Sequence, residues 1–252
     1  MKLKLSNLMK KYKSTSLKIW HISDTHTYHH LLNIPSGIDL VIFSGDSSNN
    51  RDEYLNEHEV LDFIDWYKSL DIKYKIYVAG NHDTSIEGRL VRRDLFEQNG
   101  IIYLEDESII INGIKFYGSP ITPTFGNWAF MRKREKIYKF WDDIDDDTDV
   151  LITHGPPKNI LDLTYERSGE TVLTGCSNLA KRVMKLKKLK LHCFGHIHNF
   201  KDIKNQGIKI IPEKNNCIFS NGSVVEDGRF GWLTSNGNIF RLTKRTIKFL
   251  TK

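Results

Sequence analysis

Asp24-Thr25-His26, Gly45-Asp46, Gly80-Asn81-His82-Asp83, His154 and Gly195-His196-Ile197-His198 follow one another in that order along the chain. Together they offer three carboxylates, one carboxamide and five imidazoles, all side chains suited to divalent metal ions. Residues two apart on an extended turn point the same way, so Asp24 with His26, and His196 with His198, can each chelate an ion. Asp46 has two oxygens with which to bridge two ions, and Asn81 adds a neutral carbonyl oxygen that limits the negative charge. His154 precedes Gly155-Pro156-Pro157, a stiff turn that fixes its ring. Counted as ligands, Asp24, His26, Asp46 and one histidine of the Gly-His-Ile-His segment hold one ion. Asp46, Asn81, His154 and the other histidine hold a second. His82 is left over beside Asn81, placed to donate a proton, with Asp83 able to hold its imidazole in one tautomer. Mixed nitrogen and oxygen donors suit Mn, Fe, Zn or Ni better than Ca or Mg. Two such ions roughly 3.5–4 Å apart clamp the attacking and leaving oxygens of an in-line displacement at phosphorus.

The elements that must position these residues are legible as short apolar runs, Leu17–Ile22, Leu40–Phe43, 75–79, Val150–Thr153 and Leu191–Phe194, each stopped by Gly, Asp, Asn or His. Runs of that length bounded by turn formers predict strands buried on both faces. Helical patterns lie between them at 52–70, 87–99, 127–141 and 174–188, so strand and helix alternate, as in a parallel or mixed sheet with covering helices. Residues 108–117 predict a hairpin turning at Asn112-Gly113. Further strands are expected at 208–211, 217–220, 231–234 and 239–249, with turns at Asn221-Gly222 and Asn236-Gly237. The polar, basic segment 1–16 reads as an extension and 17–252 as one domain. Ligands of open α/β sheets bind where strands end at their C-termini, which is where every segment above falls.

Composition narrows the class. The chain has 252 residues, 39% of them apolar, with 13 Phe, 10 Tyr and 5 Trp, enough for a sizeable core. The formal charge is +6, concentrated in the first thirteen residues and in 181–190. Val183, Leu186 and Leu189 recur at helical spacing through that second run, so it reads as a solvated helix face rather than a nucleic-acid arm. Cys176, Cys193 and Cys217 are odd in number and show no CxxC spacing, against a disulfide framework or a thiolate zinc site. The N-terminal apolar residues are interrupted by Lys and Asn, unlike a signal peptide, and no run is long enough for a membrane helix, so a cytoplasmic protein is expected.

The ordered set D-x-H, GD, GNHD, H and GHxH resembles the calcineurin-like metallophosphoesterase superfamily from about Leu17 to Val225. The resemblance implies an α/β fold, a four-layer αββα sandwich of two mixed β-sheets flanked by helices. Gly118-Ser119-Pro120, Asn127-Trp128-Ala129-Phe130, the stretch 147–157, Gly175-Cys176 and Phe194-Gly195-His196-Ile197-His198 are similar to the metallophosphoesterase-domain-containing, cyclic-nucleotide phosphodiesterase-like branch. It further implies that His198 joins Asp24 and His26 on one ion, that His196 joins Asn81 and His154 on the other, that Asp46 bridges, and that His82 is the general acid. The sequence Gly45-Asp46-Ser47-Ser48-Asn49-Asn50-Arg51 departs from the GDxxDRG pattern of the protein Ser/Thr phosphatases, and no capping domain like that of the DNA-repair nucleases is present. A small phosphodiester, cyclic nucleotide or nucleotide-like substrate is therefore expected, attacked by a metal-bridging hydroxide. The alternatives are a nucleic-acid-processing phosphoesterase, suggested by the basic balance, and a catalytically silent scaffold, which the intact ligand set disfavours.

Other residues carry plainer expectations. His21 and His192 read as core histidines and His58 as a surface one, while His29 and His30 either touch substrate or sit in a solvated loop. Trp128, Phe130, Ile137 and Phe140 read as the buried face of a helix. Phe125 is the candidate for stacking on a base, and the polar loop 158–174 a candidate lid carrying Tyr165 and Arg167.

Overall fold

The computed structural model describes residues 16–226 and 232–250, so the expected extension lies outside the described residues but for Ser16. In chain order the strands are β1 (Leu17–Ile22), β2 (Leu40–Phe43), β3 (Tyr74–Tyr77), β4 (Ile102–Tyr103), β5 (Glu107–Ile111), β6 (Ile114–Ser119), β7 (Thr122–Pro123), β8 (Met131–Arg132), β9 (Val150–Thr153), β10 (Leu163–Tyr165), β11 (Thr171–Leu173), β12 (Leu191–Phe194), β13 (Gly207–Ile211), β14 (Cys217–Asn221), β15 (Asn238–Leu242) and β16 (Ile247–Leu250). The helices are α1 (Glu53–Ser69), α2 (Thr84–Glu87), α3 (Arg93–Gln98), α4 (Tyr138–Asp142) and α5 (Ser177–Lys185), with a 3₁₀ turn at Tyr28–Leu31.

Two six-stranded sheets form, ordered β16-β15-β1-β2-β3-β4 and β13-β14-β12-β9-β6-β5. In the first, β1 to β4 run parallel and β15 and β16 are antiparallel additions. In the second, β14, β12, β9 and β6 run parallel between antiparallel edges. Alternate side chains of each strand face opposite ways, and this sorts the core. Leu17, Ile19, Leu40 and Ile42 meet Val150, Ile152, Leu191 and Cys193 between the sheets. Trp20, Val41 and Phe43, one position over, belong to the outer packing with Val60, Phe63 and Tyr67 of α1. Phe43 and Phe63 pack with centroids 4.4 Å apart and their planes tilted by 45°. Leu151, Phe194 and Phe219 pack outward with Leu179 and Val183 of α5. The result is the expected αββα sandwich of two mixed sheets.

Local chemistry explains where the two longest helices begin. The Asp52 carboxylate accepts from the N–H groups of Tyr54 and Leu55 and caps α1, and the Cys176 sulfur accepts from Leu179 N–H at the start of α5. Val183, Leu186 and Leu189 are buried, as their spacing predicts.

Several expected elements are shorter or different. The pattern 87–99 is broken: α2 ends before Gly88, Arg89 takes a φ of 66° and forks onto Glu105, and only Arg93–Gln98 is helical again. In 127–141 only Tyr138–Asp142 is helical. Ala129 N–H is drawn to Asn81 O, Phe130 has a φ of 55°, and Met131 and Arg132 pair with Thr122 and Pro123 as a short strand. The stretch 239–249 is a hairpin, β15 and β16, reversing where Thr243 Oγ1 accepts the N–H of Thr246. The loop 158–174 contains a second hairpin, β10 and β11, whose turn uses Gly169 at φ 87°. Asn221-Gly222 is not a turn, since β14 runs through Asn221 toward the rim where β1 ends. The expected strand 231–234 begins outside the described residues, and Leu233 makes an isolated bridge with Val225.

Candidate metal centre

The parallel strands β1, β2 and β3 of one sheet and β9 and β12 of the other deliver their C-terminal ends to one shared rim. Backbone hydrogen bonds knit the segments that follow: Asp24 N–H to Gly45 O at 2.8 Å, His26 N–H to Asp46 O at 3.2 Å, and Gly195 N–H to His154 O at 2.9 Å. Asp24, His26, Asp46 and His196 all take positive φ, at 53°, 41°, 60° and 69°. Non-glycine residues enter that region at a cost, and such strain gathers where geometry serves a site. Glycine is required beside them. A Cβ on Gly195 would collide with Asp24 Oδ2 and Ser23, and one on Gly80 with the carboxylate and backbone N of Asp46.

Side-chain donors converge in three overlapping groups, Asp24–His26–His198, His26–Asp46–His82 and Asp46–His154–His196, each with its ligand atoms within 4.8 Å of one another. His198 Nε2 stands 3.1 Å from Asp24 Oδ1, His154 Nε2 3.2 Å from Asp46 Oδ2, and His26 Nε2 4.0 Å from the same Asp46 oxygen. Asn81 Oδ1 lies 2.9 Å from His154 Nε2. All seven residues expected from the sequence as ligands are thus gathered at the rim.

The surroundings prepare these donors for cations. His154 Nδ1 faces Ser44 O at 2.9 Å and His26 Nδ1 faces Ser48 O at 3.1 Å, which turns each Nε2 toward the centre. Asp24 is fixed by the Ser223 hydroxyl at 2.8 Å and by His196 N–H at 3.0 Å from both its oxygens. Asp46 Oδ1 accepts His82 N–H at 2.7 Å. Burial disfavours charge on Asp24, yet His198 holds it below the usual carboxylate range. Asp46 is also held well below that range, by His154 and His82 against the same burial. Burial holds His26 near 4 and, with His154 beside it, His196 near 3, so both imidazoles are neutral and offer lone pairs. His154 is raised to about 9, because Asp46 and Asp24 outweigh its burial. Ionised carboxylates with inward-turned imidazole nitrogens are the donor set that divalent transition ions require. The residues present therefore fit such ions.

His82 is half-buried at the edge of the cluster, with a ring nitrogen within 4.8 Å of donor atoms of His26 and Asp46. Its ring lies 4.7 Å from that of His26 and 4.1 Å from the indole of Trp128, over which Arg51 also sits at 3.7 Å. Its Nδ1 faces Asn49 O at 3.4 Å. Asp83 does not orient this imidazole, contrary to expectation. Its Oδ1 accepts from the N–H and hydroxyl groups of Ser47 and Ser48, and its Oδ2 from Asp46 N–H, Gly80 N–H and the Tyr77 hydroxyl. It is a buried anchor for the loop that carries Asp46. Burial and then Asp46 raise its carboxyl above the usual range, against the bonds it accepts. Asn56 of α1 adds a second brace, donating to His82 O at 2.8 Å and to Ser48 Oγ at 3.0 Å. Trp128, Arg51, Ser223 and Asn56 were not picked out by ligand spacing; the run of hydroxyls after Gly45-Asp46 was the one local sign of the anchor.

Phe125 is exposed, with its ring 5.2 Å from that of His196. With Arg134 it lines a cleft of about 280 Å³ that reaches His196, and a wider outer hollow of about 810 Å³ that includes Tyr165 and Arg167. Tyr165 is engaged by Asp202 and Phe200, and the exposed Arg167 sits at the hairpin turn, so neither lies among the metal donors. His21 is a core histidine, bonded at 2.7 Å to Ser220 Oγ and at 2.9 Å to Ser44 Oγ, and His192 pairs with Thr153 Oγ1 at 2.8 Å. His58 is on the surface of α1, while His29 is fully buried.

Comparison with known proteins agrees with this geometry. A family model described as calcineurin-like phosphoesterase matches residues 17–200. The chain is 32% identical over 200 residues to the human metallophosphoesterase domain-containing protein 1, covering 70% of this chain and 59% of that one. The mouse protein of the same name matches to the same extent, so the chain spans about 59% of the length of either. Two UPF0046 proteins of Caenorhabditis elegans match at 30% identity over 92% of this chain and 77% of theirs, and at 35% over 74% and 70%.

Proposed function

This chain belongs to the calcineurin-like phosphoesterase family, and we propose that it hydrolyses a small phosphodiester of the nucleotide class with two divalent transition-metal ions. The observation that carries the proposal is the shared position of Asp46, whose carboxylate belongs to two donor groups at once, with His26 and His82 and with His154 and His196. In this reading Asp24, His26 and His198 would hold one ion, Asn81, His154 and His196 would hold the other, and Asp46 would contribute to both. When bound, the ions supply Lewis-acid stabilisation of phosphoryl charge and acidify water.

The protein's own groups do the remaining work. Asp46 and Asp24 keep the centre anionic enough to retain cations. His82, left out of both ligand sets in this reading although it stands beside His26 and Asp46, is steadied by Trp128 and gives a proton to the departing alkoxide. Phe125 offers a ring face beside His196 on which a base or sugar can rest. Arg134, in the same cleft, offers a cation to a phosphate or its neighbour. Mn, Fe, Zn and Ni are the ions that this nitrogen and oxygen donor set favours. The three cysteines are free and buried, in keeping with a reducing, cytoplasmic setting. Among the described residues no helix is long and apolar enough to cross a membrane.

The test is hydrolysis of a chromogenic phosphodiester with Mn²⁺ or Ni²⁺ added, then of cyclic mono- and dinucleotides, nucleotide monoesters and single-stranded oligomers. Loss of turnover in Asp46→Asn and Asn81→Ala, with folding retained, is expected. Undiminished turnover in both variants overturns the metal assignment, and a preference for oligomers over mononucleotides favours a nucleic-acid-processing enzyme instead.

A further inference from the structure

We propose that His29, His30 and Asp62 form another metal site, separate from the rim, that takes one zinc-class divalent ion. His29 and His30 lie in the 3₁₀ turn Tyr28–Leu31, and Asp62 lies on α1. One carboxylate oxygen, Asp62 Oδ2, stands 3.1 Å from His29 Nε2 and 3.1 Å from His30 Nε2. The three ligand atoms lie within 4.8 Å of one another. Ligand atoms around a tetrahedral zinc with bonds of roughly 2.0–2.1 Å stand roughly 3.3 Å apart, close to the spacing found.

His29 supplies the independent observation. Its side chain is 0% exposed, yet neither ring nitrogen makes a hydrogen bond, although Nε2 is aimed at Asp62. A buried imidazole that makes no hydrogen bond is costly, and an ion held between Nε2 and Asp62 would satisfy that nitrogen directly. The ring is held in place by Phe63 and Trp66, each with its centroid 5.1 Å away. The other two ligands are open to solvent, His30 at 56% and Asp62 at 55% side-chain exposure, which gives an ion a way in and leaves room for a water ligand. Two imidazoles and one carboxylate suit zinc, and disfavour calcium or magnesium.

The site would act on architecture rather than on chemistry. It ties the turn that directly follows Asp24-Thr25-His26 to the helix whose Asn56 braces the carbonyl of His82. An ion there would stiffen both approaches to the rim.

The full chain, stripped by chelator, reloaded with Zn²⁺ and gel-filtered, tests this by metal analysis. Wild type is expected to retain one zinc per chain more than Asp62→Asn or His30→Gln, and to gain more in Tm on zinc addition than either. His58→Gln, on the exposed side of the same helix, is expected to match wild type in both. These residues are exposed, so misfolding does not obscure the result, and circular dichroism checks it. Equal zinc content in wild type and both site variants overturns the proposal, as does an equal loss in His58→Gln.

Discussion

The indole of Trp128 lies against the imidazole of His82, with centroids 4.1 Å apart and planes 32° from parallel. Trp128 reaches that position because residues 127–130 leave the helical path that their sequence suggests, tied to Asn81 O through Ala129 N–H at 3.0 Å. The departure gives the proposed general acid a wall.

That contact predicts a leaving-group signature. His82→Asn should lower kcat by about 10²–10⁴ on diesters with alkyl leaving groups and far less on nitrophenyl esters, which depart unprotonated. Trp128→Leu should show the same selectivity at about a tenth of the rate of wild type. Steady-state kinetics on the two ester classes decides it, and an equal drop on both would remove His82 from the acid role.

Asp83 is expected to matter through folding. In Asp83→Asn an NH₂ group meets donors on one side, and each buried donor left unpaired costs about 1–3 kcal/mol. Urea unfolding should show a loss of several kcal/mol together with weaker metal retention. A variant as stable as wild type would refute the anchoring role.

Gly195→Ala is predicted to displace Asp24, since the new Cβ would occupy the space of its Oδ2 and of Ser23. Overpacking of this kind costs about 1–3 kcal/mol. The sharper readout is metal content, expected to fall along with activity, and Gly126→Ala, whose new Cβ would meet Trp128 at an ordinary 3.5 Å, controls for the effect of glycine replacement on metal content. Full metal loading in Gly195→Ala would contradict the packing described.

Stability should fall with acid through His21 and His192. Burial holds each near 3 in the folded chain, against 6.5 as the ordinary value. The unfolded chain therefore takes up protons below 6.5 that the folded one refuses until about 3. Their contribution is full above pH 6.5 and declines as pH drops from 6.5 toward 3, by up to about 1.4 kcal/mol per pH unit for each histidine. Urea melts in chelator at pH 7.5 and 5.0 check it, and His192→Gln should flatten the slope; an unchanged slope would count against a buried neutral His192.

The sheet architecture and the rim were legible because both rest on local signals. Strands such as Leu40–Phe43 are apolar throughout and end in turn formers, and the donors follow those ends directly. Residues that act across the fold left no such mark. Ser223 reaches Asp24 from 199 positions away, and the Asp83 carboxylate turns from its neighbour His82 toward hydroxyls that sequence adjacency does not reveal. Trp128 had the spacing of a helix face and lost it because Ala129 N–H donates to Asn81 O and Phe130 O accepts Thr122 N–H, tertiary contacts that outweighed propensity. The hairpin at 163–173 was hidden by polar composition, since neither strand buries a face against the core.

The closest carboxylate–imidazole contacts at the rim pair one sheet with the other: Asp24 with His198, and Asp46 with His154. Neither half of the chain owns a complete ligand set. The two ions of the proposed centre would thus work as rivets across a seam, so that emptying the site and loosening the sandwich become one event. A nick in an exposed loop between the halves should leave two fragments that stay together in metal and part in chelator.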